Sequence, residues 1–401
     1  MSQMYGKVTR LHIELSSRCN ASCPCCSRNF CGGPVVPDLD LTELSLADIK
    51  QMIPNELAAQ LHAINFCGNI GDPGMATDLI EILEHFRDQS PNIILQVRTN
   101  GGMRSAEFWT KLGNFFKNHQ ANNMDPIQAD GGHLFGRSNV VFSVDGLEET
   151  NHIYRRGVIW EKLIRNMQAY SDTGATATWE WLLFDHNKHQ IDEAHALAKK
   201  LNFDLLFKNP MGFTEHDGIF KPIPVYSKAG KYEYSIWPNG YSGEKIVGAD
   251  SSFDFVNHYI TQKQNKNIPV INEFSKSLEN NTITCRSTAK LDQGEVYISA
   301  GGYMLPCCYL GSVFGQNQSS YSRYQFNSLM QDYGLEKFNL RTRPMTDILK
   351  GPEFSKFFLD GWSADTIKNG KLLYCIETCG QSELNSIDKL YPNKIISKDL
   401  T

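Results

Sequence analysis

Eleven cysteines in a 401-residue chain fall into two groups and one outlier. Cys19, Cys23, Cys25, Cys26 and Cys31 crowd the beginning, Cys285, Cys307, Cys308, Cys375 and Cys379 lie near the end, and Cys67 stands apart. Cys19, Cys23 and Cys26 are separated by three and two residues, which lets a short irregular loop turn three thiolates toward one centre. Pro24 keeps that loop from closing into a helix. Three thiolates suit an iron–sulfur cluster with one iron left without a protein ligand. A structural zinc normally takes four protein ligands, and His12, the nearest spare imidazole, falls inside an expected strand. A zinc knuckle and reactive free cysteines stay open as other uses of the same loop. In the second group, Cys285, Cys307, Cys375 and Cys379 are well-separated thiols. Four thiolates permit a closed cluster or a structural zinc equally.

Composition decides how these thiols are read. The chain carries 39 basic and 44 acidic residues, a net charge of −5, with 41% apolar and 21% charged residues. That is ordinary globular composition and excludes a disordered, collagenous or coiled-coil chain. The balance gives no electrostatic footprint for nucleic acid, so a nucleic-acid partner is not expected. No secretory signal and no apolar run of about 18 residues is found, so a cytoplasmic protein without a membrane span is expected. In a reducing compartment, clustered cysteines bind metal or catalyse more often than they form disulfides, and an odd count fits a disulfide framework poorly.

The elements that must hold the first loop alternate. Strand-like runs are Leu11–Leu15, Ala63–Cys67, Ile93–Val97, Val140–Val144, Ala177–Phe184 and Leu205–Lys208, and helical runs are Leu46–Leu57, Met75–Gln89, Ser105–Asn118, Trp160–Tyr170 and Gln190–Leu201. Six β–α alternations favour a parallel sheet with crossover helices, short of the eight units of a closed barrel. The expectation is an α/β fold, a partial (β/α)6 barrel over 1–213. Residues 214–284 read as a linker with irregular elements, and 285–401 as a small β-hairpin and helix domain. In that last part, Glu295–Ser299 and Tyr303–Pro306 read as a hairpin, Ser319–Thr342 as a polar insertion loop, and Met345–Gly361 as a helix pair interrupted at Gly351-Pro352.

The run Leu15-Ser-Ser-Arg-Cys19-Asn-Ala-Ser-Cys23-Pro-Cys25-Cys26-Ser-Arg28 resembles the CxxxCxxC signature of radical S-adenosylmethionine (SAM) enzymes. The resemblance implies that Cys19, Cys23 and Cys26 hold a [4Fe–4S] cluster whose open iron is chelated by SAM. It departs from the family at Cys25, where an aromatic residue is usual. Further matches sit at successive strand ends. Gly68, Gly71, Asp72 and Pro73 are similar to the family's Gly-Gly-Glu-Pro turn near the SAM amino group. Thr99 and Asn100 fall in a Thr-Asn-Gly run. Ser143 and Asp145, with Arg155 or Arg156 beyond, match the region that meets the SAM ribose and carboxylate. His186 and Asn187 match a His-Asn near the adenine. The order of Cys285, hairpin, Cys307, helix, Cys375 and Cys379 resembles the Twitch or SPASM extension. Five cysteines beyond residue 280 suit one auxiliary [4Fe–4S] cluster, hence Twitch. The family interval from Gly302 prefers Cys307 to Cys308.

The function implied is reductive cleavage of SAM to a 5′-deoxyadenosyl radical that abstracts hydrogen from a substrate. A reductase such as flavodoxin or ferredoxin would supply the electron. A small metabolite is favoured over a peptide, because the first barrel strand starts within about ten residues. Catalytic acid, base and hydrogen-donor residues are not readable. The rival class is a non-enzymatic protein: an iron–sulfur electron carrier or a zinc-stabilised interaction module.

Overall fold

The computed structural model describes residues 8–37, 39–119, 127–129, 133–135, 137–210, 213, 215–216, 219–220, 222–240, 270–285, 287, 294–315 and 320–381. Its centre is one eight-stranded sheet. The strands are β1 (Val8–Ile13), β2 (Ala63–Phe66), β3 (Ile94–Thr99), β4 (Asn139–Ser143), β5 (Ala177–Leu182), β6 (Phe203–Lys208), β7 (Gly294–Ile298) and β8 (Met304–Leu305). They lie in the order β8-β7-β1-β2-β3-β4-β5-β6. All neighbours are parallel except β7 and β8, which form an antiparallel hairpin. The fold is therefore α/β, with a sheet whose two ends do not pair among the described residues.

Strands β1 to β6 add in chain order without reversal. Parallel crossovers are right-handed in nearly all proteins, so successive helices land on one face of such a sheet. The principal helices after β2 are Leu79–Gln89, Ala106–Asn118, Trp160–Ser171 and Ile191–Leu201. Side chains alternate between faces along each strand. On the helix face, Phe142 meets Trp109 at 5.3 Å and Tyr170 at 5.6 Å, and Phe207 meets His195 at 5.4 Å. The opposite face carries a polar ladder. Gln96 Nε2 donates to Asn139 Oδ1 at 3.3 Å, and Asn139 Nδ2 donates to Thr178 Oγ1 at 2.9 Å. These polar side chains of β3 and β4 are nevertheless buried. A singly wound sheet that encloses its polar face is built like a barrel wall with its site inside.

Local chemistry moves several boundaries. The expected helix Leu46–Leu57 is split by Pro54 into Leu46–Met52 and Asn55–Ala58. The expected helix Met75–Gln89 begins at Leu79, because Pro73–Met75 form a 3-10 turn capped by Asp72. The stretch read as a polar loop, 319–342, instead contains the helix Tyr321–Tyr333. Ser320 caps it by accepting from Arg323 N, and its inward face carries polar Ser322 and Gln325 beside Phe326 and Met330. Gln325 faces inward because Nε2 donates to the Lys371 carbonyl at 2.8 Å and Oε1 accepts from Leu373 N at 2.9 Å. Polarity therefore did not mark a loop. The helix pair broken at Gly351-Pro352 is present as Met345–Lys350 and Pro352–Ser363. The hairpin expected after residue 294 is present, and β7 extends the main sheet by pairing along β1.

Candidate functional site

The loop after β1 holds the first thiols at the C-terminal end of the sheet. It is clamped from several sides. Ser22 N donates to Arg156 O at 2.8 Å, Cys26 N donates to Cys23 O at 2.9 Å, and the Arg28 guanidinium donates to Ser17 O. Cys23 is buried, Cys19 and Cys26 are half-buried, and Cys25 is exposed. Donors converge on the sulfurs. Asn100 Nδ2 lies 3.6 Å and Ala21 N 3.4 Å from Cys19 Sγ, and Arg155 Nη1 lies 3.7 Å from Cys23 Sγ. The Cys26 thiol faces the Asn69 carbonyl at 3.7 Å. Burial pushes the Cys19 and Cys23 thiols up, and Cys26 up to about 12. Thiols so raised stay protonated at neutral pH and are poor nucleophiles, but a metal centre displaces their protons. With N–H donors already aimed at two of the sulfurs, the loop fits a thiolate-held cluster better than a set of reactive cysteines.

The turn after β2 packs against this loop. A Cβ on Gly71 would stand 1.6 Å from the Ser16 carbonyl oxygen, and one on Gly68 would stand 2.2 Å from the Gly71 oxygen. Only glycine permits so close a backbone approach. Asp72 is buried and fully engaged. Its Oδ1 accepts from Thr99 Oγ1 at 2.7 Å and Gly74 N at 2.9 Å, and its Oδ2 accepts from Asn100 N at 2.8 Å and Nδ2 at 3.0 Å. It thereby ties the β2 and β3 ends together, with Pro73 opening the short turn that follows.

The later strand ends join the same ring. Asp145 is 0% exposed; its Oδ2 accepts from Arg155 Nε at 2.6 Å and its Oδ1 from Leu182 N at 2.6 Å. Arg155 thus bridges Asp145 and Cys23. Burial alone would lower its pKa, yet Asp145 and Cys23 raise it, so it stays charged. Arg156 turns away to Glu233, at 2.7 Å, and to the Tyr234 hydroxyl. Ser143 pairs in register with Glu180, and its hydroxyl makes no hydrogen bond among the described residues. Asn187 is a buried staple, donating to the Asp145 and Leu182 carbonyls at 2.9 Å each. His186 stacks on Phe184 at 5.1 Å, and burial lowers its pKa to about 4.

Sequence reading missed Glu14 and Asn69. Glu14 Oε1 accepts from Ile70 N at 2.7 Å and Gly71 N at 2.9 Å, while Tyr297 of β7 donates to its Oε2. Asn69 Nδ2 donates to the Cys308 carbonyl at 2.9 Å. The turn carrying Gly68 and Gly71 is thus held from both ends of the chain. Tyr297→Phe removes one donor from a buried carboxyl and should lower stability by about 1–3 kcal/mol in urea melts.

The second thiol group also assembles. Thr282–Ile283 pairs antiparallel with Gly380–Gln381, which brings Cys285 beside Cys379. Cys375 and Cys379 lie four residues apart on the helix Leu373–Cys379, and so on one face. Cys307 stands at the position just before the helix Cys308–Val313. All four thiols line one cavity of about 20 Å3, together with Ile283, Leu310 and Trp362. Cys308 does not line it; its thiol is influenced by Glu295 and Cys67 instead. Burial drives the Cys307 and Cys375 thiols up. Among the described residues no three of His, Cys, Asp and Glu are grouped so as to hold a single metal ion.

The inner face also sets an acid response. Burial lowers His12 to about 4 against 6.5 unfolded. Burial would raise Glu180, but Arg98 and Lys208 bring it down to about 2 against 4.5. In both cases the unfolded chain binds more protons across the interval. Stability should therefore fall as pH drops, between 6.5 and about 4 through His12 and between 4.5 and about 2 through Glu180. Urea midpoints measured against pH check this, and His12→Gln should flatten the upper part of the slope.

No protein-family model and no curated protein matches the chain. Among solved structures, SuiB of Streptococcus suis bound to S-adenosylmethionine superposes with a TM-score of 0.49 at 14% identity, over 93% of this chain and 73% of SuiB. Native anSMEcpe with bound AdoMet gives 0.44 at 16% identity, over 86% and 82% of the two chains. BtrN in complex with AdoMet and 2-DOIA gives 0.39 at 12% identity, over 92% of each. No helix among the described residues is long and apolar enough to cross a membrane.

Proposed function

We propose that the chain is a radical SAM enzyme with a Twitch-type auxiliary cluster. One observation carries the reading: Cys19, Cys23 and Cys26 gather at the C-terminal strand ends, with Asn100 and Arg155 donating to their sulfurs. When bound, a [4Fe–4S] cluster with one iron open to SAM supplies the electron that yields a 5′-deoxyadenosyl radical for hydrogen abstraction. The chain's residues do the rest. Cys19, Cys23 and Cys26 hold the cluster, and the N–H donors of Asn100 and Arg155 stabilise thiolate charge. Gly68 and Gly71 let the turn that the family pattern sets beside the SAM amino group pack its backbone against Ser16, and Asp72 fixes that turn against Thr99 and Asn100. Ser143 offers to the ribose a hydroxyl that has no partner among the described residues. Asp145 and Asn187 act as positioning residues, because their polar atoms are engaged within the protein. Arg155 is likewise held by Asp145, which argues for charge tuning at Cys23 rather than a pairing with the SAM carboxylate. His186, stacked on Phe184, is the residue that the family pattern assigns to the adenine.

Cys285, Cys307, Cys375 and Cys379 hold the auxiliary cluster. Four protein thiolates leave it no open iron, which suits electron transfer or substrate binding. The substrate is a small metabolite in preference to a peptide, and a flavodoxin- or ferredoxin-type reductase donates the electron.

The test is anaerobic reconstitution with iron and sulfide, then dithionite and SAM. 5′-Deoxyadenosine and methionine are expected; no cleavage by fully loaded protein overturns the enzyme reading. Cys285→Ala should lower iron from about eight to about four per chain. Zinc in place of iron at the second site would refute the auxiliary cluster.

A further inference from the structure

Three charged side chains meet on the inner face below the strand-end ring: Arg98 of β3, Glu180 of β5 and Lys208 of β6. Arg98 Nη1 and Lys208 Nζ both donate to the same atom, Glu180 Oε1, at 2.6 Å each. The triad therefore carries two positive charges against one negative. Arg98 Nη2 reaches Gln96 Oε1 at 3.4 Å, while its Nε is buried with no hydrogen-bond partner among the described residues. The Arg98 side chain is only 6% exposed. Among the described residues the neighbouring groups supply no second anion: the Cys67 thiol, which also interacts with Arg98, is pushed up to about 11 by burial and stays protonated at neutral pH. His12 is neutral above pH about 4. Arg10 interacts with Glu295, and Asp145 is taken by Arg155. A buried charge left over after pairing is costly, and an incoming anion relieves that cost.

We propose that Arg98 and Lys208 bind an oxyanion of the substrate, a carboxylate or a phosphate ester, while Glu180 holds the two cations in place. The guanidinium supplies directional donors and the ammonium a point charge, a combination that recognises such groups. The position suits a substrate. Arg98 directly precedes Thr99 and Asn100, and Glu180 stands opposite Ser143 in the sheet register. A purely structural role would need only one cation for one carboxylate, as in the buried Arg155 and Asp145 pair. The proposal rests on the radical SAM reading of the ring above it and names the substrate class for that site.

The experiment titrates reconstituted, phosphate-free protein anaerobically with inorganic phosphate and, separately, with succinate, by calorimetry. At least one should bind saturably, and the arm that binds distinguishes phosphate ester from carboxylate. Lys208→Met should weaken that binding about tenfold or more. Lys208→Arg should retain it, and Lys231→Met, at an exposed position, should leave it unchanged. Thermal melts establish that each variant is folded. Binding of neither anion to the wild type, or equal binding to folded Lys208→Met, overturns the proposal. 5′-Deoxyadenosine formation is measured on the same samples. Its loss with anion binding intact counts against the enzyme reading alone, and the reverse result counts against the oxyanion site alone.

Discussion

Cys19→Ala, Cys23→Ala and Cys26→Ala are each expected to reduce 5′-deoxyadenosine formation to background and to remove about four irons per chain. Each residue supplies one of three protein ligands, and a two-thiolate site does not hold a cluster whose remaining corner must stay open. Cys25→Ala is the internal control. Cys25 is adjacent in sequence but exposed. Removing it should leave both iron content and cleavage near the wild type. Equal loss in Cys25→Ala would mean that the ligand set has been misassigned at the Cys25-Cys26 pair. The Cys285 site should keep its iron in all four variants, because its four thiols line a separate cavity.

Asp145→Ala should have the largest effect on stability, a loss of about 3–5 kcal/mol. The carboxylate is fully buried and is the ion-pair partner of Arg155, whose own side chain is 17% exposed. Deleting it leaves a buried guanidinium without its counter-ion and frees the Leu182 N–H that Oδ1 accepts. Arg155 also donates to Cys23 Sγ, so the disturbance reaches the thiol loop. Asp145→Asn should be milder in thermal melts, because it keeps an acceptor for Leu182. Even so it should shift the reduction potential of the first cluster, since the charge balance at Arg155 changes. A melt of Asp145→Ala within about 0.5 kcal/mol of the wild type would contradict this account of the pair.

Much of the sheet was legible because the strands carry local signals. Runs such as Val140–Val144 are mostly apolar and rich in valine, and a helix of clear period follows. The strand ends were legible too, because glycine and Asx residues punctuate them. Contacts made through the third dimension were not. Glu14 lies only five residues before Cys19, but its partner Tyr297 is 283 residues away. Asn69 looked like part of a turn, and only its bond to Cys308 shows that it joins the two ends of the chain. The helix Tyr321–Tyr333 was hidden because its buried face includes Ser322 and Gln325. The inner charge cluster did leave a trace. Gln96 and Arg98 alternate with Leu95 and Val97, a pattern out of place in a parallel strand buried on both faces by apolar packing. Reading that alternation would have placed a polar interior beside the strand ends.

The most direct measurement of the central claim is electron paramagnetic resonance of the dithionite-reduced Cys285→Ala protein, titrated with SAM. That variant should hold one reduced [4Fe–4S] cluster, at Cys19, Cys23 and Cys26. Addition of SAM should change its spectrum saturably, because SAM would occupy the iron that no protein residue ligates. A loaded, reduced cluster whose spectrum is indifferent to SAM would contradict the claim.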